Sequence, residues 1–223
     1  LAGQQILRVG RRAKFLVIKL TQGTLLVHLR MSGDLRVEQE TSEVQPHDRA
    51  IFHLLDGWKL VFNDARKFGR IWYTLQPQDV LGHLGPEPLD EAFTAAEFHQ
   101  RLIARRRQLK PLLLDQSFLA GLGNIYTDEA LHLAKLHPTR LSHRLSEEES
   151  ARLLDAIHAV LQEGIRRNGA SFDWVYRGGE FQNNFRVYQR TGSPCPTCGH
   201  PVERTVIGQR GTHYCPICQP REV

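Results

Sequence analysis

Between residues 5 and 75 the chain alternates short apolar runs with turn residues. The runs "FLVIKL", "TLLVHLR", "DLRVEQ", "AIFHLL", "WKLVF" and "RIWYTL" are broken at Gln22-Gly23, Ser32-Gly33 and Asp56-Gly57. Runs of this length, rich in Val, Leu, Ile and aromatics and punctuated by Gly, predict an antiparallel sheet domain. Leu84 to Phe93, "LGPEPLDEAF", interrupts the pattern with two prolines and a group of acids. It predicts an extended linker, followed by a helix capped by Thr94 with Glu97 at capping-box spacing.

From Thr94 to Asn168 the period becomes helical, through "AEFHQRLIARRRQ", "KPLLLDQSFLAG", "NIYTDEALHLAKL" and "SEEESARLLDAIHAVLQEGIRRN". The last segment opens with Ser146 and Glu149 in a capping box. It repeats apolar residues at Leu153, Leu154, Ile157, Val160 and Leu161, which defines an amphipathic helix. Residues 169 to 190 set a Gly-Gly break among aromatics and amides, the composition of a long surface loop that orders on binding.

The four cysteines of the chain all fall near its C-terminal end, as Cys195, Cys198, Cys215 and Cys218. Their spacing, C-x2-C-x16-C-x2-C, fits a tetrahedral zinc site whose two knuckles aim four thiolates at one point. A pair of disulfides is the rival reading and would suit a secreted chain, but no signal peptide or twenty-residue apolar segment occurs. His200 and His213 flank the knuckles, and with four cysteines filling the shell they read as solvent-facing. A closed shell is structural, so the metal positions something, and Arg210 at the tip of the ribbon is the candidate.

At 223 residues and 41% hydrophobic content the chain reads as a soluble protein with room for one large domain or two to three small ones. The net charge of +5 suits a polyanionic partner. Placement says more than the total. "RLIARRRQLK", Arg101 to Lys110, holds five cations and no acid, and the tail adds Arg204, Arg210 and Arg221. Solvated helix faces usually mix both signs. Leu1 is not a start methionine, and the opening "LAGQQILRVGRRAKFLVIKL" reads as the middle of a domain truncated at its N-terminal side.

Six motifs in order carry a resemblance: "RRAKF" (Arg11 to Phe15), "HLRMSG" (His28 to Gly33), "DARKFG" (Asp64 to Gly69), "LGPEPL" (Leu84 to Leu89), "GLGNIYTDEAL" (Gly121 to Leu131) and "QRGTHYC" (Gln209 to Cys215). Spanning nearly the whole chain, the set resembles the bacterial formamidopyrimidine-DNA glycosylases. That resemblance implies an α+β architecture. Residues 1–88 would be the remainder of an N-terminal antiparallel β-sandwich catalytic domain plus linker, and 89–170 a helix-two-turn-helix DNA-binding domain. Residues 171–190 would be a lesion-capping loop and 191–223 a zinc-ribbon β-hairpin.

The implied function is base-excision repair: removal of oxidised purines (8-oxoguanine, formamidopyrimidines) from duplex DNA through a Schiff base, then strand cleavage by β,δ-elimination. Double-stranded DNA containing oxidised or abasic nucleotides is the implied partner. One structural Zn²⁺, a monomer, a bacterial cytoplasmic and nucleoid-associated location and no membrane contact go with it. The family's nucleophile is an N-terminal proline followed by a glutamate, and neither opens this sequence. Roughly fifty leading residues are inferred to be missing, by analogy with ordinary domain sizes. The chain as given is expected to be inactive by itself.

Residue by residue, Lys14 matches the lysine given a proton-donor role in β-elimination. A phosphate contact is an equal reading of that lysine. Arg210 matches the ribbon arginine that grips phosphates and is linked to δ-elimination. Met31, Arg66 and Phe68 match the trio that fills the gap left by an extruded base, where an apolar wedge and a guanidinium offset lost stacking. Without the motifs, Met31 and Phe68 read as core residues. His47 and Arg105 match DNA-contacting positions, Lys110 is placed in the same basic helix as Arg105, and solvated charge is the default for all three. Asn124 follows glycines that leave helix N-terminal amides free for a phosphate, and a buried capping Asn is the compatible alternative. The chain departs from the family pattern at Ala65, Lys67 and Gln189, and its loop from Ser171 to Phe185 is short. A non-catalytic, zinc-dependent damaged-DNA-binding protein and the sister glycosylase for oxidised pyrimidines are the competing functions.

Overall fold

A computed structural model describes residues 1–171 and 178–221, so residues 172–177 of the capping segment lie outside the described residues. The chain divides into two compact units, one from Leu1–Gly82 and one from His83–Ser171 with Gly178 onward.

The first unit is built from seven strands. These are β1 (Ile6–Arg12), β2 (Phe15–Leu20), β3 (Thr24–His28), β4 (Gly33–Gln39), β5 (Asp48–His53), β6 (Trp58–Asp64) and β7 (Arg70–Thr74), followed by the short α1 (Gln78–Leu81). They form one sheet in the order β1-β2-β3-β7 and another in the order β4-β6-β5, antiparallel throughout. Ile18, Leu20, Leu25 and Val27 of the first sheet share a buried cluster with Leu60 and Phe62 of the second. Burying each such side chain contributes about 1.5–3 kcal/mol, and two sheets sharing one core make the expected sandwich. β1 has no counterpart among the apolar runs. Its residues are exposed or half-exposed along their whole length, so no alternation of burial marks it.

The second unit holds α2 (Ala95–Ile103), α3 (Leu109–Leu113), α4 (Asn124–Leu133) and α5 (Glu147–Arg166). The Thr94 hydroxyl accepts from the Glu97 amide, and Ser146 with Glu149 closes the full capping box. Phe98, Leu102, Leu112, Leu131, Leu153 and Ile157 bury their side chains completely between these helices. Two helical expectations need correction. Arg105 and Lys110 are not on one helix, because α2 stops at Ile103. The following segment pairs instead with residues 140–142, through Leu109 N–H to Arg140 O and Ser142 N–H to Arg107 O, both 2.9 Å. α3 ends at Leu113 rather than running through Ala120. The Asp115 carboxylate accepts from both the amide and the hydroxyl of Ser117, a local turn that competes with helix.

The linker is not free either. Gly85 N–H donates to Gln116 O and Ala120 N–H to Pro86 O, each 2.9 Å. A Cβ at Gly85 would meet the Ser117 carbonyl at 2.5 Å. The ribbon strands β8 (Glu203–Ile207) and β9 (Arg210–Tyr214) belong to the same compact unit as the helices. Gly208 and Gln209 turn between them with φ of 55° and 61°, the left-handed pair that a two-residue hairpin requires. No helix among the described residues is long and apolar enough to cross a membrane.

Candidate nucleic-acid interface and zinc centre

In the β unit, the candidate wedge hangs on one buried carboxylate. Asp64 is fully buried at the end of β6. Its Oδ1 accepts from Ser32 Oγ at 2.5 Å and from Arg66 N–H at 3.2 Å, and its Oδ2 accepts from Gly69 N–H at 2.7 Å. Ser32 and Gly69 sit in different turns, so Asp64 ties the two together. Gly33 and Gly69 make the turns possible: a Cβ at Gly33 would meet Leu29 O at 2.4 Å, and one at Gly69 would meet the Phe62 ring at 2.4 Å. With the backbone fixed from below, Met31 and Phe68 project outward, 57% and 56% exposed, and Arg66 is exposed beside them. These two apolar side chains are not core. Asp64 N–H also donates to His47 O at 3.0 Å, and Arg49 Nε donates to Asp64 O at 3.0 Å. His47, at φ 76°, is therefore anchored by backbone while its ring meets Arg49 at 3.2 Å.

Burial opposes ionisation of Asp64, but the donors from Ser32, Gly69, Arg66 and Lys67 outweigh it and hold the carboxyl below its ordinary value. A depressed carboxylate stabilises the fold above its unfolded pKa of about 3.9 and loses that contribution as pH falls through the lower folded value. Asp64→Asn replaces one acceptor oxygen with a donor facing donors. The variant is expected to lose about 1–3 kcal/mol in urea unfolding and to lose the wild-type acid transition. An unchanged acid limb would refute the role given to this carboxylate.

Lys14 is exposed in the β1–β2 turn, where Ala13 takes φ 50° and its carbonyl accepts from Arg11 at 2.8 Å. His28 lies close by. Burial and the charges of Arg30 and Lys14 bring its pKa down to about 4, so it is a neutral ring packed edge-on against Phe15 at 4.8 Å. Its Nδ1 accepts from Arg30 N–H at 3.0 Å.

In the helical unit the structure brings Lys110, Asn124 and Arg210 together around one carbonyl. Gly211 O accepts from Lys110 Nζ at 2.8 Å and from Asn124 Nδ2 at 3.1 Å. Arg210 precedes it, exposed to solvent. Lys110 departs from its expected role as a solvated phosphate contact. Its side chain is 0% exposed and lies 2.6 Å from Asp128 Oδ1, also 0% exposed. Burial is the largest influence on this lysine and lowers its pKa, with Asp128 pulling the other way. Asn124 is the first residue of α4 rather than its cap; Gly123 occupies that place, and no side chain closes the helix end. Arg105 is exposed, and its carbonyl accepts from Ser142 Oγ at 2.5 Å.

Sequence reading missed Asp128, Glu129 and His132, although the signal was available. Asn124, Asp128 and His132 recur every four residues and share one face of α4. Each touches the ribbon. Asp128 Oδ2 accepts from His213 N–H at 2.9 Å, and His132 Nε2 lies 3.3 Å from Cys195 Sγ. Glu129 accepts the amides of Arg186, Val187 and Tyr188 at 2.8, 3.0 and 2.8 Å. His213 is consequently buried rather than solvent-facing, whereas His200 is exposed as expected. Gln189, where the resemblance implies glycine, takes φ 56°, a conformation in which glycine carries no Cβ penalty.

The ligand atoms of Cys195, Cys198, Cys215 and Cys218 all lie within 4.8 Å of one another. The Cys195–Cys218 and Cys198–Cys215 sulfur distances are 3.8 and 3.4 Å, the spacing of four ligands about 2.3 Å from a central zinc. Burial and the neighbouring sulfurs push Cys218 well above the usual thiol range, while the Thr197 and Cys198 amides overcome burial to bring Cys195 down to about 7. A divalent cation relieves that crowding by taking four thiolates at once. The second knuckle is tied inward through Gln219, which accepts from Cys215 N–H at 3.0 Å and donates to Leu136 O at 2.8 Å.

Family models agree with both units. The formamidopyrimidine-DNA glycosylase N-terminal domain matches residues 1–71, the corresponding H2TH domain residues 84–174, and the zinc finger found in FPG and IleRS residues 192–221. The formamidopyrimidine-DNA glycosylase of Heliobacterium modesticaldum is 47% identical across 98% of this chain and 83% of its own length. That of Bacillus cereus is 40% identical across 99% and 83%. The crystal structure of the MutM (Fpg) protein of Thermus thermophilus superposes with a TM-score of 0.90 at 45% identity, covering 99% of this chain and 85% of that one. A Lactococcus lactis Fpg complex with abasic-site DNA matches at 0.90 and 35% identity, covering 98% and 83%. Fold, cysteine cluster and family matches thus define a DNA-repair enzyme. The chain belongs to the formamidopyrimidine-DNA glycosylase (Fpg/MutM) family, and its four cysteines fit the one structural zinc of that family's finger.

Proposed function

We propose that this chain carries the DNA-handling part of a glycosylase and abasic-site lyase that removes oxidised purines from duplex DNA in the bacterial cytoplasm. The observation that carries the reading is the pair of turns hung on Asp64, which holds two apolar side chains and a guanidinium in solvent. Exposed Met and Phe flanking an Arg serve no core. They suit insertion between base pairs, where apolar contact and hydrogen bonding to an unpaired base offset part of the few kcal/mol lost on flipping.

The helical unit supplies affinity without sequence preference. Arg210 grips a phosphate bidentately, and the amides at the start of α4 add donors and the positive end of the helix dipole. Arg105 and His47 add contacts to the backbone. Lys110 keeps Gly211 in place rather than reaching DNA. Lys14 donates a proton at the sugar during β-elimination or contacts a phosphate beside it. The amine nucleophile that the family resemblance implies is not among these residues, so this reading is tested on zinc-replete protein that carries it.

A duplex containing 8-oxoguanine should be nicked and trapped by borohydride as a covalent adduct. The Met31→Ala, Phe68→Ala double variant should lose excision of the base, with abasic-site cleavage less affected because no base remains to extrude. Absence of both nicking and adduct in the unaltered protein would favour a purely binding role. Stronger excision of oxidised pyrimidines than purines would move the chain to the sister activity.

A further inference from the structure

The stripe Asn124, Asp128 and His132 ends on the metal site. His132 is buried on α4, and its Nε2 lies 3.3 Å from Cys195 Sγ. Its other ring nitrogen, Nδ1, is buried with no hydrogen-bond partner among the described residues. A neutral imidazole carries one N–H. A metal-bound Cys195 is a thiolate and can only accept, so the proton belongs on Nε2, facing sulfur. Cys195 already accepts from Thr197 N–H at 3.4 Å, and His132 is the donor that comes from outside the ribbon.

We propose that His132 is a positioning residue of the zinc centre, whose Nε2–H donates to the Cys195 thiolate and fastens the first knuckle to the helix that presents Asn124. The consequence is a coupling. Asn124 holds the arginine end of the ribbon through Gly211 O, and Asp128 holds its middle through the His213 amide. His132 holds the metal itself. Loss of zinc is then felt along one face of α4, and the helix contributes to zinc retention. Groups that orient metal ligands from behind typically change metal affinity by about 10- to 100-fold when removed.

The test compares His132→Phe, which keeps an aromatic ring but no donor, with His132→Gln, which can return an N–H near the Nε2 position. Zinc affinity is measured by competition with a chromophoric chelator, and the Co²⁺-substituted protein is examined by absorption. His132→Phe is expected to bind zinc about 10- to 100-fold more weakly. Its sulfur-to-cobalt charge-transfer bands should move to longer wavelength, because an unbonded thiolate is the better electron donor. His132→Gln should recover most of both. In the unaltered zinc-loaded protein, ¹⁵N NMR should show the His132 proton on Nε2. A His132→Phe protein with unchanged zinc affinity and cobalt bands overturns the proposal. If that variant does not fold, a zinc-loaded wild type with the proton on Nδ1 overturns it equally.

Discussion

Asp128→Asn is expected to destabilise the helical unit by about 3–5 kcal/mol, the usual cost of breaking a buried ion pair by removing one partner. Lys110 and Asp128 are both 0% exposed, and their contact is 2.6 Å. The asparagine leaves an ammonium in the interior with neutral amide oxygens as acceptors and no counter-charge in contact. Burial already lowers the Lys110 pKa against the pull of Asp128, so losing the aspartate lowers it further. The unfolded chain then binds more protons than the folded one between the depressed value and the ordinary lysine value near 10.4. Variant stability should therefore rise with pH through that window, and its deficit relative to wild type should narrow. Urea unfolding at neutral and alkaline pH measures this. The Lys110→Met, Asp128→Leu double variant should lose less than either single change. A pH-independent deficit would show that Asp128 matters through its His213 contacts instead.

The same pair shows where sequence reading reaches its limit. Lys110 and Asp128 are 18 positions apart, and nothing in the local pattern of either says that they meet. Arg101 to Lys110 has the composition of a solvated basic face, yet its last member is an interior cation. The strands β2 to β7 were legible because each carries apolar residues into a common core. β1 was not, because its side chains stay exposed and only its backbone pairing with β2 defines it. Both helix caps, Thr94 and Ser146, were legible because capping chemistry is local. The ends of α2 and α3 were not, because partners across the fold and the Asp115 turn stop those helices. At the site, the motifs named the exposed side chains Met31, Arg66, Phe68 and Arg210. The residues that hold their turns, Ser32, Asp64 and Asp128, act through hydrogen bonds to distant groups, and of these Asp128 alone leaves a local trace, as one member of the four-residue stripe on α4.

Metal removal and Arg210→Ala should both weaken DNA capture, but by separable routes. Cys195→Ser, or exhaustive chelation, removes the cation that lets four crowded thiols ionise together. Beyond the cysteines, the buried cluster at the base of the ribbon consists of Val187 and Val202, too few side chains to hold strands β8 and β9 without metal. The expected result is loss of zinc, loss of the ribbon's fold and near-complete loss of DNA binding. Arg210 is exposed and lies outside that cluster, so Arg210→Ala should keep one zinc per chain and an unchanged unfolding curve. Its binding should fall about 10- to 100-fold, the range for a charge-assisted hydrogen-bonded contact of about 1.5–3 kcal/mol. Because one phosphate contact is lost, the slope of log affinity against log salt should also drop by about 1. Arg210→Lys should restore the slope but not the whole affinity, since an ammonium neutralises a phosphate without reproducing the guanidinium fork. If Arg210→Ala instead lost zinc as Cys195→Ser does, the arginine would be part of what holds the ribbon together rather than what the ribbon delivers.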